Sequence, residues 1–421
     1  MKLTKRRVVV TGIGAITPIG NNANALWQNA KTGVNGIAPI THYDASGDDV
    51  SLAAEIKNYD FNKKFDRKEL KRLDRFAQLA MIATDEAMED SQLDLAKENT
   101  SRIGVYYASG IGGLETIALQ NDRARERGYN RVSPYFIPSA IINLAAGNIA
   151  IKYGIHGASL SHVTACASGT NTIGEAFRAI RDGYLDIIIT GGSEATVIPL
   201  GIWGFSVMQA LHKGKDPNYA SIPFDVNRSG FVLGEGAGTL ILEEYEKAIE
   251  RGAKIYGEIV GYGTTSDAAH ITSPDPEGKG ARDCMLLAIK DANLQPKNID
   301  YINAHGTSTP LNDITESLAI KKAFKQHANI LNISSTKSMT GHLLGASGAV
   351  EAILTLLATK NNFIPPTINT KELDPKCNLN YTLNKGIPKS VNHALSNSLG
   401  FGGHNATIIF KKFEEAQNGI K

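Results

Sequence analysis

The chain has 421 residues, 42% of them hydrophobic, enough for two domains or one large duplicated body with an ordinary core. Its 44 basic and 42 acidic side chains leave a net charge of +2, too balanced for a nucleic-acid-binding surface or a polybasic membrane anchor. The three cysteines, Cys166, Cys284 and Cys377, lie far apart with no CxxC pair, which argues against a disulfide framework or a zinc site, and the absence of a signal-peptide core or a membrane-length apolar run makes a cytoplasmic protein the expectation.

Arg7 to Thr11 reads as a β-branched strand entering a glycine loop, Gly12 to Gly20. That loop is not a dinucleotide site, because Thr17 stands where the fingerprint needs its third glycine and Pro18 opposes a helix opening there. Phe65 to Met88 reads as helical, with Leu70, Leu73 and Phe76 for a buried stripe and a basic cluster of Arg67, Lys68, Lys71, Arg72 and Arg75. A second cluster follows at Arg123, Arg125, Arg127 and Arg131, before Pro134 to Pro138 break the pattern. Both clusters fit solvated helix faces as well as a dock for one acidic partner.

Ile103 to Ala108 is a strand ending in a glycine-rich turn around Ile111. Ala158 to Val163 alternates like a strand, and Ile173, Ala176, Phe177 and Ile180 recur at helical spacing, so Cys166 falls at a helix N-terminus. The dipole and free N–H groups there favour thiolate, the nucleophilic form, although a lone cysteine is also compatible with a buried structural role. Past Asp182-Gly183, Leu185 to Thr190 is a strand whose unbroken apolar run suits a sheet covered on both faces, and Gly191-Gly192 opens an irregular stretch to Asp225. A strand at Thr239 to Leu242 closes this half.

From Tyr256 the plan begins again: strand to Val260, helix Asp283 to Asp291, strand Asp300 to Asn303, helix Thr315 to Phe324, strand Ile330 to Ser334, then a small-residue helix Gly345 to Thr359. This last unit mirrors the strand, turn and helix around Cys166, so the chain reads as a weak internal duplication in α/β style. Ala394 to Ser398 and Ala406 to Lys411 form a glycine-linked strand pair, and residues after Phe413 are expected to fray. The halves divide as 1–255 and 256–421, with no Pro- or Ser-rich linker between them.

Of ten histidines, His305 and His342 stand out, each in a glycine-flanked loop after a short strand, where ligands collect in open α/β sheets. Pseudosymmetry would bring those loops to Cys166. A thiolate accepting an acyl group, with imidazole N–H groups on a developing oxyanion or enolate, makes chemical sense of the trio. Lys337 and Glu351 suit a buried pair orienting a histidine, and equally a surface pair. Ser334 to Lys337 has the SxxK spacing of serine acyl-enzymes but no SDN, and the sole KTG, at Lys31, precedes it; a zinc site is disfavoured because no HExxH exists.

The stretches Thr164–Ala176 (TACASGTNTIGEA), Pro223–Gly238 (PFDVNRSGFVLGEGAG), Ile302–Pro310 (INAHGTSTP), Ser334–Ala352 (SSTKSMTGHLLGASGAVEA) and Ser396–Ala406 (SNSLGFGGHNA) together resemble the elongating β-ketoacyl-[acyl-carrier-protein] synthases, over about Arg7 to Phe413. The resemblance implies a thiolase fold, duplicated halves in a five-layer αβαβα arrangement, working as a homodimer with acyl carrier protein as partner and requiring no cofactor. It implies that Cys166 takes the acyl chain, that the N–H groups of Cys166 and Phe401 form an oxyanion hole, and that His305 and His342 assist decarboxylation of malonyl thioester, with Lys337 and Glu351 in support. It further implies Phe401 as a gate, Ile111 as the acyl-pocket residue, Phe136 reaching the pocket across the dimer, Thr307 and Thr309 on substrate, and a structural monovalent cation near Asn303, Glu351 and Ser396. Carrier proteins are acidic, so Lys68, Lys71, Arg72 and Arg131 become the docking candidates. A thiolase would carry a second cysteine in a glycine-rich setting, an initiating synthase an asparagine where His342 stands, and a polyketide chain-length subunit no Cys166; a polyketide-type ketosynthase remains the alternative.

Overall fold

The structure is a computed structural model that describes residues 5–414, so most of the segment expected to fray after Phe413 lies outside it. One ten-stranded sheet runs through the molecule. Its first five strands are β1 (Val8–Ile16), β2 (Ile103–Ala108), β3 (Ser159–Leu160), β4 (Ile187–Glu194) and β5 (Gly236–Glu244). The others are β6 (Gly257–Ser266), β7 (Tyr301–Asn303), β8 (Asn332–Ser334), β9 (His393–Gly400) and β10 (His404–Lys412). Across the sheet the order is β8-β7-β9-β10-β6-β1-β5-β4-β2-β3.

The duplication is explicit in that order. The first half runs β3-β2-β4-β5-β1 and the second β8-β7-β9-β10-β6, the same arrangement repeated. Directions repeat too: β2 is parallel to β3 and β4, β5 antiparallel to β4 and β1; β7 is parallel to β8 and β9, β10 antiparallel to β9 and β6. The halves join through the antiparallel pair β1·β6.

Helices fill three layers around the two half-sheets. Outside the first lie α1 (Arg75–Ser91) and α4 (Leu144–Tyr153), while α2 (Leu114–Arg127) and α3 (Phe136–Ala140) stand at its margin. The layer between the half-sheets holds α5 (Ser168–Arg181) and, from the second half, α9 (Ser347–Asn361); α6 (Pro199–Ser206) follows β4. Outside the second half-sheet lie α7 (Lys279–Asp291) and α8 (Pro310–Phe324). Strand alternation divides the side chains accordingly. Ile187 and Ile189 enter the core under α1 and α4, and Ile188 between them enters the central core. On β10, Ile408 and Phe410 face the central core and Ile409 the core under α7 and α8. This explains the continuous apolar runs: both faces of each half-sheet are covered. In the central layer α9 is buried from Ser347 to Thr359, as a helix with no solvent side must be.

The structure departs from the sequence expectations where glycines serve packing instead of turning. The expected Gly12 to Gly20 loop is strand as far as Ile16, because Gly12 and Gly14 let α1 lie against β1: a Cβ on Gly14 would sit 2.0 Å from Ala83 O. Likewise β4 continues through Gly191-Gly192 to Glu194, since a Cβ on Gly191 would sit 2.0 Å from Gly238 O on β5. The expected strand from Ala158 to Val163 shrinks to the two exposed residues of β3, which among the described residues pairs with β2 on one side only. The helical stretch Phe65 to Met88 is broken, a short turn at Arg67–Leu70 and then α1, because Asp66 and Asp74 each cap a new start.

Candidate active site

The two central helices begin with the same device. Residues Ala165–Ala167 form a tight turn before α5, and Leu344–Ala346 a matching one before α9. The segments Ala165-Cys166-Ala167-Ser168-Gly169 and Leu344-Gly345-Ala346-Ser347-Gly348 share their last three residues. Ala165 and Leu344 are both held at positive φ, 50° and 47°, a conformation that non-glycine residues adopt only when their surroundings fix it. Gly169 and Gly348 allow the helix heads to touch, since Cβ atoms there would lie 2.8 Å from Ala349 N and 2.6 Å from Thr170 N. Cys166 thus sits at the junction of the halves.

The resting thiol differs from the expectation. Burial pushes Cys166 up to about 12, overriding the pull of Lys337 and of the N–H groups of Phe401 and Cys166 itself, with Glu194 adding to the rise. Desolvation of a buried thiolate outweighs the attraction of Lys337 and of the two N–H groups. Both of those N–H groups favour the charged form of the sulfur. Phe401 reaches it because Gly400 carries no side chain: a Cβ there would lie 2.7 Å from Thr164 O and 3.2 Å from Cys166 N.

Cys166, His305 and His342 line one cavity of 380 Å³, together with Phe401, Thr307 and Thr309. The imidazole centroids are 5.2 Å apart and edge-on. Burial, with Lys337 nearby, depresses both imidazoles well below their usual range, so both are neutral near pH 7. Their tautomers follow from their partners. Lys337 Nζ, which has only protons to offer, is 3.3 Å from His305 Nδ1, and the Leu344 N–H donates to His342 Nδ1 at 3.3 Å. Each ring therefore carries its proton on Nε2, and the trio comprises one nucleophile and two neutral N–H donors. Lys337 is ion-paired with Glu351, both fully buried, and burial raises the Glu351 carboxyl to about 7 against the attraction of Lys337. The Thr307 and Thr309 hydroxyls bond each other at 2.8 Å.

Other candidates fall in different places. Ile111 packs against the apolar cluster containing Cys166, Ile202 and Phe231 but is not among the residues lining the cavity. Its N–H and that of Gly110 donate to the buried Glu194, which also receives Gly345 N–H from the second half. Phe136 opens α3, half-buried, and does not line this cavity. Lys68, Lys71, Arg72 and Arg131 are all exposed, and Arg72 lies 4.9 Å above the Tyr135 ring, so the segment carrying the first basic cluster meets the one that follows Arg131. Among the described residues none of these four is in an ion pair. Asn303 and Ser396 are cross-strand partners on β7 and β9, and Ser396 Oγ and Glu351 Oε2 are buried without hydrogen-bond partners among the described residues. An all-oxygen set with orphaned acceptors fits a hard monovalent cation.

Sequence reasoning missed Phe205 and Phe231, which wall the cavity with rings 5.5 Å apart, and the buried anchors Glu194 and Glu316. Glu316 accepts the N–H groups of His305 and Gly306, both at 2.8 Å. A carboxylate that holds a loop through its backbone leaves no local pattern. A larger hollow of 650 Å³, lined by His42, Arg75 and Glu235, shares no lining residue with the Cys166 cavity, and its Arg75 is already bound to Glu235 at 2.6 and 2.7 Å.

A duplicated pair of half-sheets around two central helices, with a cysteine at the head of one of them, is the architecture of the thiolase-fold condensing enzymes. The chain belongs to the beta-ketoacyl synthase family: residues 5–248 match the model of its N-terminal domain and residues 256–371 that of its C-terminal domain. It is 49% identical to the 3-oxoacyl-[acyl-carrier-protein] synthase 2 of Staphylococcus aureus, covering 97% of this chain and 99% of that protein. It is 50% identical to the protein of the same name from Synechocystis sp., covering 98% and 99%. Among solved structures, a beta-ketoacyl synthase from Burkholderia phymatum superimposes with a TM-score of 0.90 at 34% identity, covering 97% of this chain and all of that one. A type II polyketide ketosynthase, solved with its acyl-carrier protein, gives a TM-score of 0.89 at 34% identity and the same coverage.

Proposed function

We propose that this protein elongates fatty acids by decarboxylative Claisen condensation, as a 3-oxoacyl-[acyl-carrier-protein] synthase. The observation that carries the reading is that Cys166, His305 and His342 open onto a single cavity, each ring with an N–H to donate. Cys166 Sγ attacks the carbonyl of an acyl thioester on acyl carrier protein, the N–H groups of Cys166 and Phe401 stabilise the oxyanion, and the carrier thiolate leaves with the proton given up by Cys166. Malonyl thioester then loses carbon dioxide while the Nε2–H groups of His305 and His342 hold the enolate oxygen. The carbanion attacks the acyl-Cys166 carbonyl, the cysteine thiolate departs, and a 3-oxoacyl chain two carbons longer remains on the carrier. Lys337 with Glu351 keeps His305 in the donating tautomer. A cation held by Asn303, Glu351 and Ser396 would neutralise the unpartnered Glu351 oxygen.

The fatty-acid reading is favoured over the polyketide one because the relatives at about half identity over nearly the full chain are named for 3-oxoacyl carrier-protein synthesis. Retention of Cys166 speaks against a chain-length subunit. The exposed basic face of Lys68, Lys71, Arg72 and Arg131 is complementary to an acidic carrier. The homodimer is supported by the exposed edge β3 with its Leu160, by the exposed apolar side chains Val163, Ile137 and Ile141, and by half-buried Phe136, which does not line the cavity of its own chain. Three unpaired cysteines suit work in the cytoplasm, and no helix among the described residues is long and apolar enough to cross a membrane.

Incubation with acyl-loaded carrier protein followed by mass spectrometry should place one acyl group on Cys166, and adding malonyl carrier should release carbon dioxide and 3-oxoacyl product. A Cys166→Ala protein that still condenses refutes the reading.

A further inference from the structure

The internal duplication lets equivalent atoms in the two halves be compared, and one pair diverges. Adding 179 to a residue number converts the first helix head into the second, so that Ser168 corresponds to Ser347 and Val163 to His342. In the first half the serine is consumed by its own turn: Ser168 Oγ accepts Thr164 N–H at 2.8 Å and donates to Ala165 O at 2.7 Å. In the second half Ser347 Oγ accepts Leu343 N–H at 2.9 Å, the same bond, but its other contact is His342 Nδ1 at 3.0 Å. One lone pair is already filled by Leu343 N–H and Nδ1 also receives Leu344 N–H, so the Ser347 proton points at Nδ1. A valine at the corresponding place in the first half offers no acceptor, and the hydroxyl turns to the carbonyl instead.

We infer that Ser347 is a positioning residue for His342, holding Nδ1 as an acceptor so that Nε2–H faces the cavity where the malonyl thioester binds. Leu344 N–H alone, at 3.3 Å, is a weak and long restraint on a ring that must donate in one direction. Ser347 shortens the restraint and, being fully buried in the first turn of α9, carries no mobility of its own. The role parallels that of Lys337 at His305: each imidazole has one side-chain donor fixing its inner nitrogen. The inference rests on the proposed condensation.

The test uses the full-length enzyme with Ser347→Ala and Ser347→Thr variants and follows the two half-reactions separately. Acyl transfer to Cys166, read by mass spectrometry, should stay within about twofold of wild type in both variants. Release of carbon dioxide from malonyl carrier protein should fall about 5- to 30-fold in Ser347→Ala and recover to within about threefold in Ser347→Thr, which keeps the hydroxyl. In protein labelled with 15N-histidine, Nδ1 of His342 should give an acceptor-type nitrogen signal in wild type and Ser347→Thr, and a signal averaged between tautomers in Ser347→Ala. Unchanged decarboxylation and an unchanged Nδ1 signal in Ser347→Ala overturn the inference. So does an equal loss of both half-reactions that Ser347→Thr fails to restore, because that marks a packing role. Failure of the wild-type enzyme to acylate Cys166 would instead overturn the proposed function.

Discussion

Lys337 Nζ stands 3.3 Å from His305 Nδ1 while the same ammonium is paired with Glu351, so a buried ion pair sets which nitrogen of a neighbouring imidazole bears the proton. Removing one partner strands the other's charge. Lys337→Met should therefore cost about 3–5 kcal/mol of stability and lower condensation about 10- to 100-fold. The double change Lys337→Met with Glu351→Leu removes both charges and should regain most of the stability without regaining activity. Denaturant melts beside condensation rates check this; a double variant that recovers rate along with stability would show the pair to be structural only.

Cys166 is raised to about 12 by burial, so at any pH between 7 and 10 only a small fraction is thiolate, and that fraction grows tenfold per pH unit. Alkylation of Cys166 by iodoacetamide in the free enzyme should climb about tenfold for each unit from pH 7 to pH 9, with no plateau. A plateau near pH 7 or 8 would mean that the helix head ionises the sulfur after all.

That contrast marks how far the sequence reaches. The positions of Cys166, His305 and His342 were legible because each lies in a loop whose glycines and flanking strand identify it locally, and the mirrored units around Cys166 and His342 correctly announced the repeated half-sheets. The ionisation of Cys166 was not legible, because it depends on burial in an apolar cluster with Phe231, Ile202 and Leu344, residues brought from three other segments. The strand at Ala158 to Val163 failed for a related reason: alternation signals a half-buried strand only where a second neighbour pairs with it, and β3 has none among the described residues. Ser347 was hidden in plain view, since its sequence repeats that of Ser168 while its proton goes elsewhere.

The basic face predicts a salt-dependent effect. Reversing Lys68 and Lys71 to Glu should raise the apparent KM for carrier-bound substrate about tenfold at low salt, with kcat little changed, and the difference should shrink as salt screens exposed charges. Both side chains are exposed and make no ion pair among the described residues, so the change should leave the melting temperature near that of wild type. Unchanged kinetics at low salt would remove this face from the docking surface.

Exposed Leu160 on the edge strand β3 predicts dependence of activity on assembly. Leu160→Lys places a charge where a second copy would cover the edge, and should shift the protein toward monomer in sedimentation velocity. Since Phe136 does not line the cavity of its own chain, the monomer should also change its preference among acyl chains of graded length. A monomer with an unaltered product profile would mean that no neighbouring residue completes the acyl pocket.

The contact between the two central helix heads makes the sharpest stability prediction, because two glycine-to-alanine changes should act with opposite sign. A Cβ on Gly348 would lie 2.2 Å from Thr170 Oγ1 and 2.6 Å from Thr170 N, in the first turn of α5. The backbone there has no room to yield, so Gly348→Ala should destabilise by about 1–3 kcal/mol. It should also slow acylation of Cys166, four residues before Thr170, by displacing the turn that aims the sulfur. Gly147 lies within α4, and its nearest atom to an added Cβ is Leu144 Cδ1 at 3.5 Å, an ordinary contact. Gly147→Ala should stabilise by about 0.5–1 kcal/mol through reduced backbone freedom in the unfolded chain, leaving acylation untouched. Equilibrium melts of both variants with an acylation time course decide the matter. If Gly348→Ala melts and acylates like wild type, the close approach of the helix heads does not govern the position of Cys166.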